Sequence, residues 1–90
     1  MKLQDTSAAL QAIVAKYEER IRLEVDKEVT FTVRRKPFLE EAAATIALLR
    51  AHEATSEGIA CALGYIQGIM WSTGVMNQAE LQEDIGKLKP

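Results

Sequence analysis

Cysteine and histidine, two residue types often used as nucleophile, base or metal ligand, are scarce in this 90-residue sequence, which has one of each. A single cysteine excludes an internal disulfide and favours a reducing compartment, so we expect a cytoplasmic protein. Cys61 and His52 stand at no spacing typical of a catalytic pair, and the sequence has no metal-ligand cluster or phosphate-binding glycine loop. We therefore expect a protein that is not an enzyme, with no catalytic residues, no metal and no cofactor.

The sequence also lacks an apolar run long enough to cross a membrane. Residues 58–79 carry no charge, but the apolar part from Ile59 to Trp71 is broken by Gly64 and Gly68. A spanning helix needs about 20 predominantly apolar residues. The N-terminus has no apolar core followed by a small-residue cleavage site, so no signal peptide is expected either. We expect no membrane partner.

An excess of positive charge is absent, since the formal net charge is −2. No global basic field therefore attracts nucleic acid. The basic side chains are nevertheless concentrated in the first 36 residues, while the rest of the chain is acidic. A local basic patch is possible, and the triplet of Arg34, Arg35 and Lys36 is the place for it.

The spacing of apolar residues predicts one mainly α domain, residues 1–90, with four helices over residues 6–25, 37–53, 56–73 and 78–88. Helical spacing places one set on the inner face of the first helix: Leu10, Ile13, Val14, Tyr17 and Ile21. A second set forms the stripe of the second helix: Leu39, Ala42, Ala43, Ile46 and Leu49. Glu18 and Arg22 stand one turn apart and are expected to pair.

Helix boundaries are indicated by capping residues. Thr55 or Ser56 is expected to cap the third helix, and Gly74 to end it in the left-handed conformation. Asn77, followed three residues later by Glu80, resembles a capping box at the start of the last helix.

That last helix is expected to carry Leu81, Ile85 and Leu88 inward.

Residues 29–35 predict a short extended or β segment. Val29, Phe31 and Val33 alternate with polar residues and are β-branched or aromatic, which is typical of a strand. Pro37 then fits the first turn of the second helix. For residues 21–35 three alternatives remain open: helix, lone strand, or a hairpin.

The third helix carries almost no polar side chain and needs cover on nearly every side. Ala60, Gly64 and Gly68 repeat every four residues and form a smooth groove that allows another helix to approach closely. We expect a homo-oligomer interface at these residues, with Tyr65 and Trp71 as anchors. The core helix of a monomer is the alternative. In this apolar helix Cys61 is expected to be an inert packing group.

Two resemblances bear on function. The order of strand, helix and helix over residues 29–66 resembles the ribbon-helix-helix family of DNA-binding repressors. Its second-helix signature is matched by residues 56–59, 62–63 and 65–66. The resemblance implies a dimer in which Thr30, Thr32 and Arg34 read DNA bases, and in which the N-terminus of the third helix, near Thr55 and Ser56, holds a phosphate. Residues 62–81 are similar to the tail of small phage-encoded helical proteins.

Taken with the absence of catalytic groups, the residues favour a non-enzymatic accessory or regulatory protein. We expect a homo-oligomer that acts on a protein or a small anionic ligand, with a dimeric DNA-binding regulator as the alternative. The candidate anion or nucleic-acid site consists of Thr30, Thr32, Arg34, Arg35 and Lys36. The candidate oligomer interface consists of Ala60, Gly64, Tyr65, Gly68 and Trp71.

Overall fold

The structure is a computed structural model that describes residues 1–26 and 32–88, with the backbone alone for residues 32–34. A short 3-10 helix (Leu3–Asp5) is followed by α1 (Ala8–Asp26), α2 (Thr32–Ala51), α3 (Ser56–Ser72) and α4 (Gln78–Leu88). The described residues contain no strand. The mainly α architecture with four helices is thereby confirmed.

The start of α2 differs from the expectation. Residues 32–35, assigned to the extended segment, belong to the helix, while residues 29–31 lie outside the described residues. Pro37 lies inside α2 and not at its first position. Proline inside a helix removes one backbone hydrogen bond at a cost of about 3 kcal/mol. A charged pair to another helix opposes this cost, because Arg35 Nη2 lies 3.1 Å from Glu24 Oε2 on α1.

Side chains and one glycine fix the ends of the helices. Ser7 Oγ accepts a hydrogen bond from the Leu10 N–H at the start of α1, at 3.2 Å. Thr55 Oγ1 accepts from the Gly58 N–H at 3.0 Å, and Asn77 Oδ1 accepts from the Glu80 N–H at 2.9 Å. Gly74 has a φ of 76°, the left-handed conformation expected after α3.

The core is formed by apolar residues of all four helices. The expected stripe of α1 is confirmed, with Leu10 partly buried and the other four residues buried. The α2 stripe is confirmed except at Ala43, which is exposed. The buried apolar residues are Leu3, Ile13, Val14, Tyr17, Ile21, Leu39, Ala42, Ile46, Leu49, Ile59, Leu63, Ile66, Ile69, Met70, Met76 and Leu81.

The helices form a flat molecule. α1 packs against α2 and α4, and α3 packs against α2 and α4. The Cα atoms extend over 39 × 28 × 17 Å, with a radius of gyration of 12.9 Å, against about 12 Å for a compact chain of this length. In so thin a molecule a helix has neighbours on its sides and inner face, and its outer face is left to solvent.

Ion pairs join α1 to its neighbours. Glu18 pairs with Arg50 of α2, and not with Arg22 as the spacing suggested. Arg22 pairs instead with Glu19, at 2.5 Å, and with Asp26. The i,i+4 spacing indicated a pair within α1, but packing against α2 offers Glu18 a partner on another helix.

A buried carboxylate connects α4 to α1 and α3. Asp84 is 1% exposed, and its two oxygens accept from Lys16 Nζ at 2.6 Å and from the Tyr17 hydroxyl at 2.9 Å. The Tyr17 oxygen in turn accepts from Gln67 Nε2 at 3.2 Å. Gln67, the one frankly polar side chain of the apolar part of α3, therefore has a partner. These four residues are called the Asp84 network below.

The first prediction concerns Asp84→Ala. Removing one partner of a buried ion pair costs about 3–5 kcal/mol. Lys16 is partly exposed and can regain water, so we expect a loss at or just below the lower limit of that range, roughly 2–3 kcal/mol. Urea unfolding measures it. Glu83→Ala is the matched control: this neighbouring carboxylate pairs with Lys87 at the surface and should change stability by less than about 0.5 kcal/mol. Equal losses in the two variants would contradict the role given to Asp84.

The second prediction concerns alkaline pH. Burial, together with the Asp84 carboxylate, raises the pKa of Tyr17 from 10.0 to about 12. The folded state therefore favours the neutral phenol, so its contribution is complete below pH 10 and is lost as the pH rises toward 12. The shift corresponds to about 3 kcal/mol of unfolding free energy. Urea unfolding at increasing pH should show this loss in the wild-type protein.

Tyr17→Phe is the control for that titration. It lacks the ionising hydroxyl, so its stability should be lower at neutral pH and should fall less across the same alkaline range. A Phe variant with the same alkaline slope as wild type would contradict the assignment.

Candidate functional site

The expected anion or nucleic-acid site is brought together only in part. Thr30 lies outside the described residues, and Thr32 and Arg34 are described by their backbone, which is helical. The strand geometry expected for Thr32 and Arg34 is therefore wrong. Arg35 pairs with Glu24 at 3.1 Å, and Lys36 Nζ lies 3.8 Å from Glu40 Oε1. Both described cations already face carboxylates of their own chain.

The expected interface residues all lie on one side of α3. Successive helical residues turn by about 100°, which places the residues between Ala60 and Ser72 that point away from the core on a single surface. We call it the outer face of α3. It consists of Ala60, Cys61, Gly64, Tyr65, Gly68, Trp71 and Ser72, all of which are exposed. It includes every residue of the predicted interface and no charged residue.

The opposite side of α3 enters the core. Ile59, Leu63, Ile66, Ile69 and Met70 are buried there. α3 is therefore one-sided in its burial, although apolar residues occupy both of its sides. In an ordinary surface helix the solvent side is charged or polar, so this apolar exposed side requires an explanation.

The middle of the outer face is a hollow. Apart from the adjacent residues and the backbone of α3 itself, no atom of the described residues lies within 4 Å of the place where a Cβ at Gly64 or Gly68 would stand. Neither glycine serves a close approach within this part of the chain, and neither has the positive φ that distinguishes Gly74. Interior helical glycines cost about 1 kcal/mol each relative to alanine. The packing expected to offset that cost is not found among the described residues.

Two large aromatic side chains border the hollow. Trp71 is 60% exposed and Tyr65 is 51% exposed, among the highest values for large apolar residues in the described chain. Aromatic side chains of this size are the ones most often buried at protein interfaces. Tyr65 lies at the middle of the outer face and Trp71 near its C-terminal end, whereas Ala60 and Cys61 lie at its start.

A groove separates α3 from α4 beside Trp71. It encloses about 310 Å³. Its lining is mostly apolar with amide groups at the edges: Gln67, Gly68, Trp71, Gln78, Leu81, Gln82 and Ile85. Ile85, 43% exposed, thus extends the apolar surface from α3 onto α4.

The orientation of α4 corrects one expectation. Leu81 is buried as expected, but Ile85 is largely exposed and Leu88 is partly buried. Asp84 takes the inward position between them because Lys16 and Tyr17 satisfy its carboxylate. The inward side of the helix is therefore turned by about 30–40° from the orientation that its apolar spacing indicates, because Leu81 stays inward while Asp84 replaces Ile85. The only sequence signal for a buried carboxylate was the pair of neighbouring residues Lys16 and Tyr17 on α1. That pair does not indicate which residue of α4 it contacts.

The two residues considered for catalysis are both at the surface. His52 is exposed after the end of α2, and Cys61 is exposed on the outer face of α3, so its expected role as a buried packing group is wrong. Among residues 1–26 and 32–88, no group of three or more His, Cys, Asp or Glu side chains could hold a metal ion. The chemistry that the outer face offers is the burial of apolar surface.

In the described part of the chain no helix has both the length and the hydropathy to cross a bilayer. No protein-family model matches the sequence, and no curated protein or solved structure matches it either.

Proposed function

We propose that the protein is a non-enzymatic binding protein that self-associates through the outer face of α3. The observation that carries the proposal is an exposed, uncharged helix face with Trp71 and Tyr65 above two glycines, Gly64 and Gly68, on which nothing described is packed. A second molecule would cover the aromatic rings and use the close approach that the glycines allow.

The free energy gained by covering the aromatic rings can be compared with the cost of association. Trp and Tyr bury about 150–250 Å² each when fully covered, and here roughly half of each is still exposed. At about 25 cal/mol per Å², covering both rings of one copy contributes about 5 kcal/mol, and covering those of both copies of a dimer contributes about 10 kcal/mol. Association costs about 4–15 kcal/mol. The aromatic rings therefore contribute a free energy of the same size as that cost, and close contact along the rest of the helix has to provide the surplus.

The surface area of the molecule supports the same proposal. The chain exposes 5712 Å² for a mass of 10.0 kDa, against about 5,200 Å² for a typical folded monomer of this mass. The excess is in line with a subunit that has one face left to be covered. Phe38 and Leu48 of α2, 58% and 59% exposed, add further apolar surface.

The proposal extends to an accessory or regulatory role in the cytoplasm, with the oligomer acting on a protein or a small anionic ligand. An exposed thiol such as Cys61 is compatible with a reducing compartment, where it does not form mixed disulfides. An anion at Arg35 and Lys36 would have to compete with Glu24 and Glu40. That competition favours a protein as the partner.

The third prediction tests self-association with Gly64→Leu. A Cβ at this exposed position meets no described atom beyond the adjacent residues and the backbone of α3, and leucine improves helix propensity, so the fold should be kept or stabilised. It should, however, block the approach of a second helix. We expect a folded monomer by circular dichroism and light scattering, under conditions in which the wild-type protein is oligomeric.

Gly86→Leu is the matched control. Gly86 is also a helical glycine with no described atom within 4 Å of a Cβ, but it lies on α4 and is not among the residues that line the groove. This variant should keep the wild-type mass. A wild-type protein that is monomeric at high concentration, or a Gly64→Leu variant of unchanged mass, would overturn the proposal.

The fourth prediction separates this function from DNA binding. The net charge is −2, and the described members of the basic triplet are paired. We therefore expect no change in solution mass when duplex DNA is added at low ionic strength, where phosphate contacts are strongest. A salt-sensitive complex that Arg35→Ala weakens would establish the DNA-binding regulator in its place.

A further inference from the structure

We infer that two copies pair through antiparallel α3 helices that cross where Gly64 of one copy lies over Gly68 of the other. In this register Trp71 of each copy covers the small-residue end of the other copy's outer face, near Ala60 and Gly64. The inference rests on the proposed function and specifies its geometry.

The outer face has a large end and a small end. Ala60 and Cys61 lie near the start of α3, Trp71 lies near its end, and the two glycines lie between them. When two such faces are brought together in opposite directions, each large end meets a small end. A parallel pair would bring Trp71 against Trp71 and so hold the helices apart at the glycines. The shape of this face is therefore complementary to itself in one direction.

Electrostatics favours the same direction. Glu57, in the first turn of α3, is the nearest charged residue to the outer face along the helix. Parallel pairing would place two Glu57 carboxylates at the same end of the interface, and like charges at close range are unfavourable. Antiparallel pairing separates them by the length of the helix. It also opposes the two helix dipoles, whose like ends would otherwise lie together.

The two edges of the face then match separately. At about 100° per residue, Ala60 and Trp71 lie along the edge next to α4, while Cys61, Tyr65 and Ser72 lie along the other edge. A two-fold axis that lies in the interface, perpendicular to the helices, reverses the helix direction. It places each edge opposite the same edge of the other copy. The two Tyr65 rings then lie near the axis, and Cys61 of one copy lies opposite Ser72 of the other.

This last pairing gives a direct test. In Ser72→Cys, mild oxidation should join each new thiol to Cys61 of the other copy and yield a covalent dimer on non-reducing gels. Within one subunit the two positions are 11 residues apart on α3, about 16 Å along the axis. A disulfide needs Cα atoms within about 7 Å, so an internal bridge cannot form.

Two controls fix the register. The wild-type protein, with Cys61 alone, should remain uncrosslinked, because the two Cys61 residues would lie about 15 Å apart along the helices. The double variant Cys61→Ser with Ser72→Cys should also remain uncrosslinked. Conversion of most Ser72→Cys chains to the dimer, with neither control converted, supports the antiparallel pair. Rapid crosslinking of the wild type indicates parallel helices and overturns it.

The masses of the reduced proteins separate the two proposals. If the wild-type protein is monomeric, both the proposed function and the pairing fail. If wild type and reduced Ser72→Cys are dimers that oxidation does not link, the pairing fails while self-association stands. Should Ser72→Cys alone lose the dimer, the pairing also fails, because this register provides room for a thiol at that exposed edge.

Discussion

The arrangement of the helices depends on the charged and polar contacts of α1. The Asp84 network binds this helix to α4 and, through Tyr17 and Gln67, to α3. Ion pairs from Glu18 and Glu24 bind it to α2. Buried charges are tolerated only when they are paired, so Asp84 permits few alternative orientations of α4. α1 thereby determines where the other helices lie.

One consequence is that polar contacts are distributed unevenly. α1 contributes a partner to each of the ion pairs described between two of the four helices. α3 has no charged side chain after Glu57 and takes part through one amide, that of Gln67. Its inner side is covered by apolar packing, and the flat arrangement leaves no helix for its outer side. Inside the subunit α3 is thus a core helix on one side and an apolar surface on the other.

The sequence predicted the helices well because the relevant signals are local. Caps such as Thr55 and Asn77, the left-handed Gly74 and the apolar stripe of α1 each depend on residues within one or two turns. The orientation of α4 was not predictable in this way. Its apolar spacing favoured Ile85 as an inward residue, but the partners that allow Asp84 to be buried lie 67 and 68 positions away in the chain.

The helical start of α2 was predicted as an extended segment because the local pattern does not show whether a strand has a partner. The alternation of β-branched residues before Pro37 is typical of a strand, and a strand requires a partner to pair with. The described part of the chain offers none. The small-residue spacing on α3 is also a local signal, and the residues that it selects all lie on the exposed side of that helix. The exposure of Cys61 was missed because the sequence alone does not indicate which side of an all-apolar helix is covered.

The glycines bear on whether α3 is the core helix of a monomer or whether its outer face contacts a second molecule. Gly58 is accounted for by the cap, since a Cβ there would lie 3.2 Å from Thr55 Oγ1, and Gly74 by its φ of 76°. Gly86 lies in the last turn of α4, where helices fray and a glycine is less costly. Gly64 and Gly68 lie in the middle of α3 with nothing described against them. In the core helix of a monomer, alanine at both positions would be more stable by about 2 kcal/mol in total. Two glycines in that place therefore support the proposal that a second molecule packs against α3.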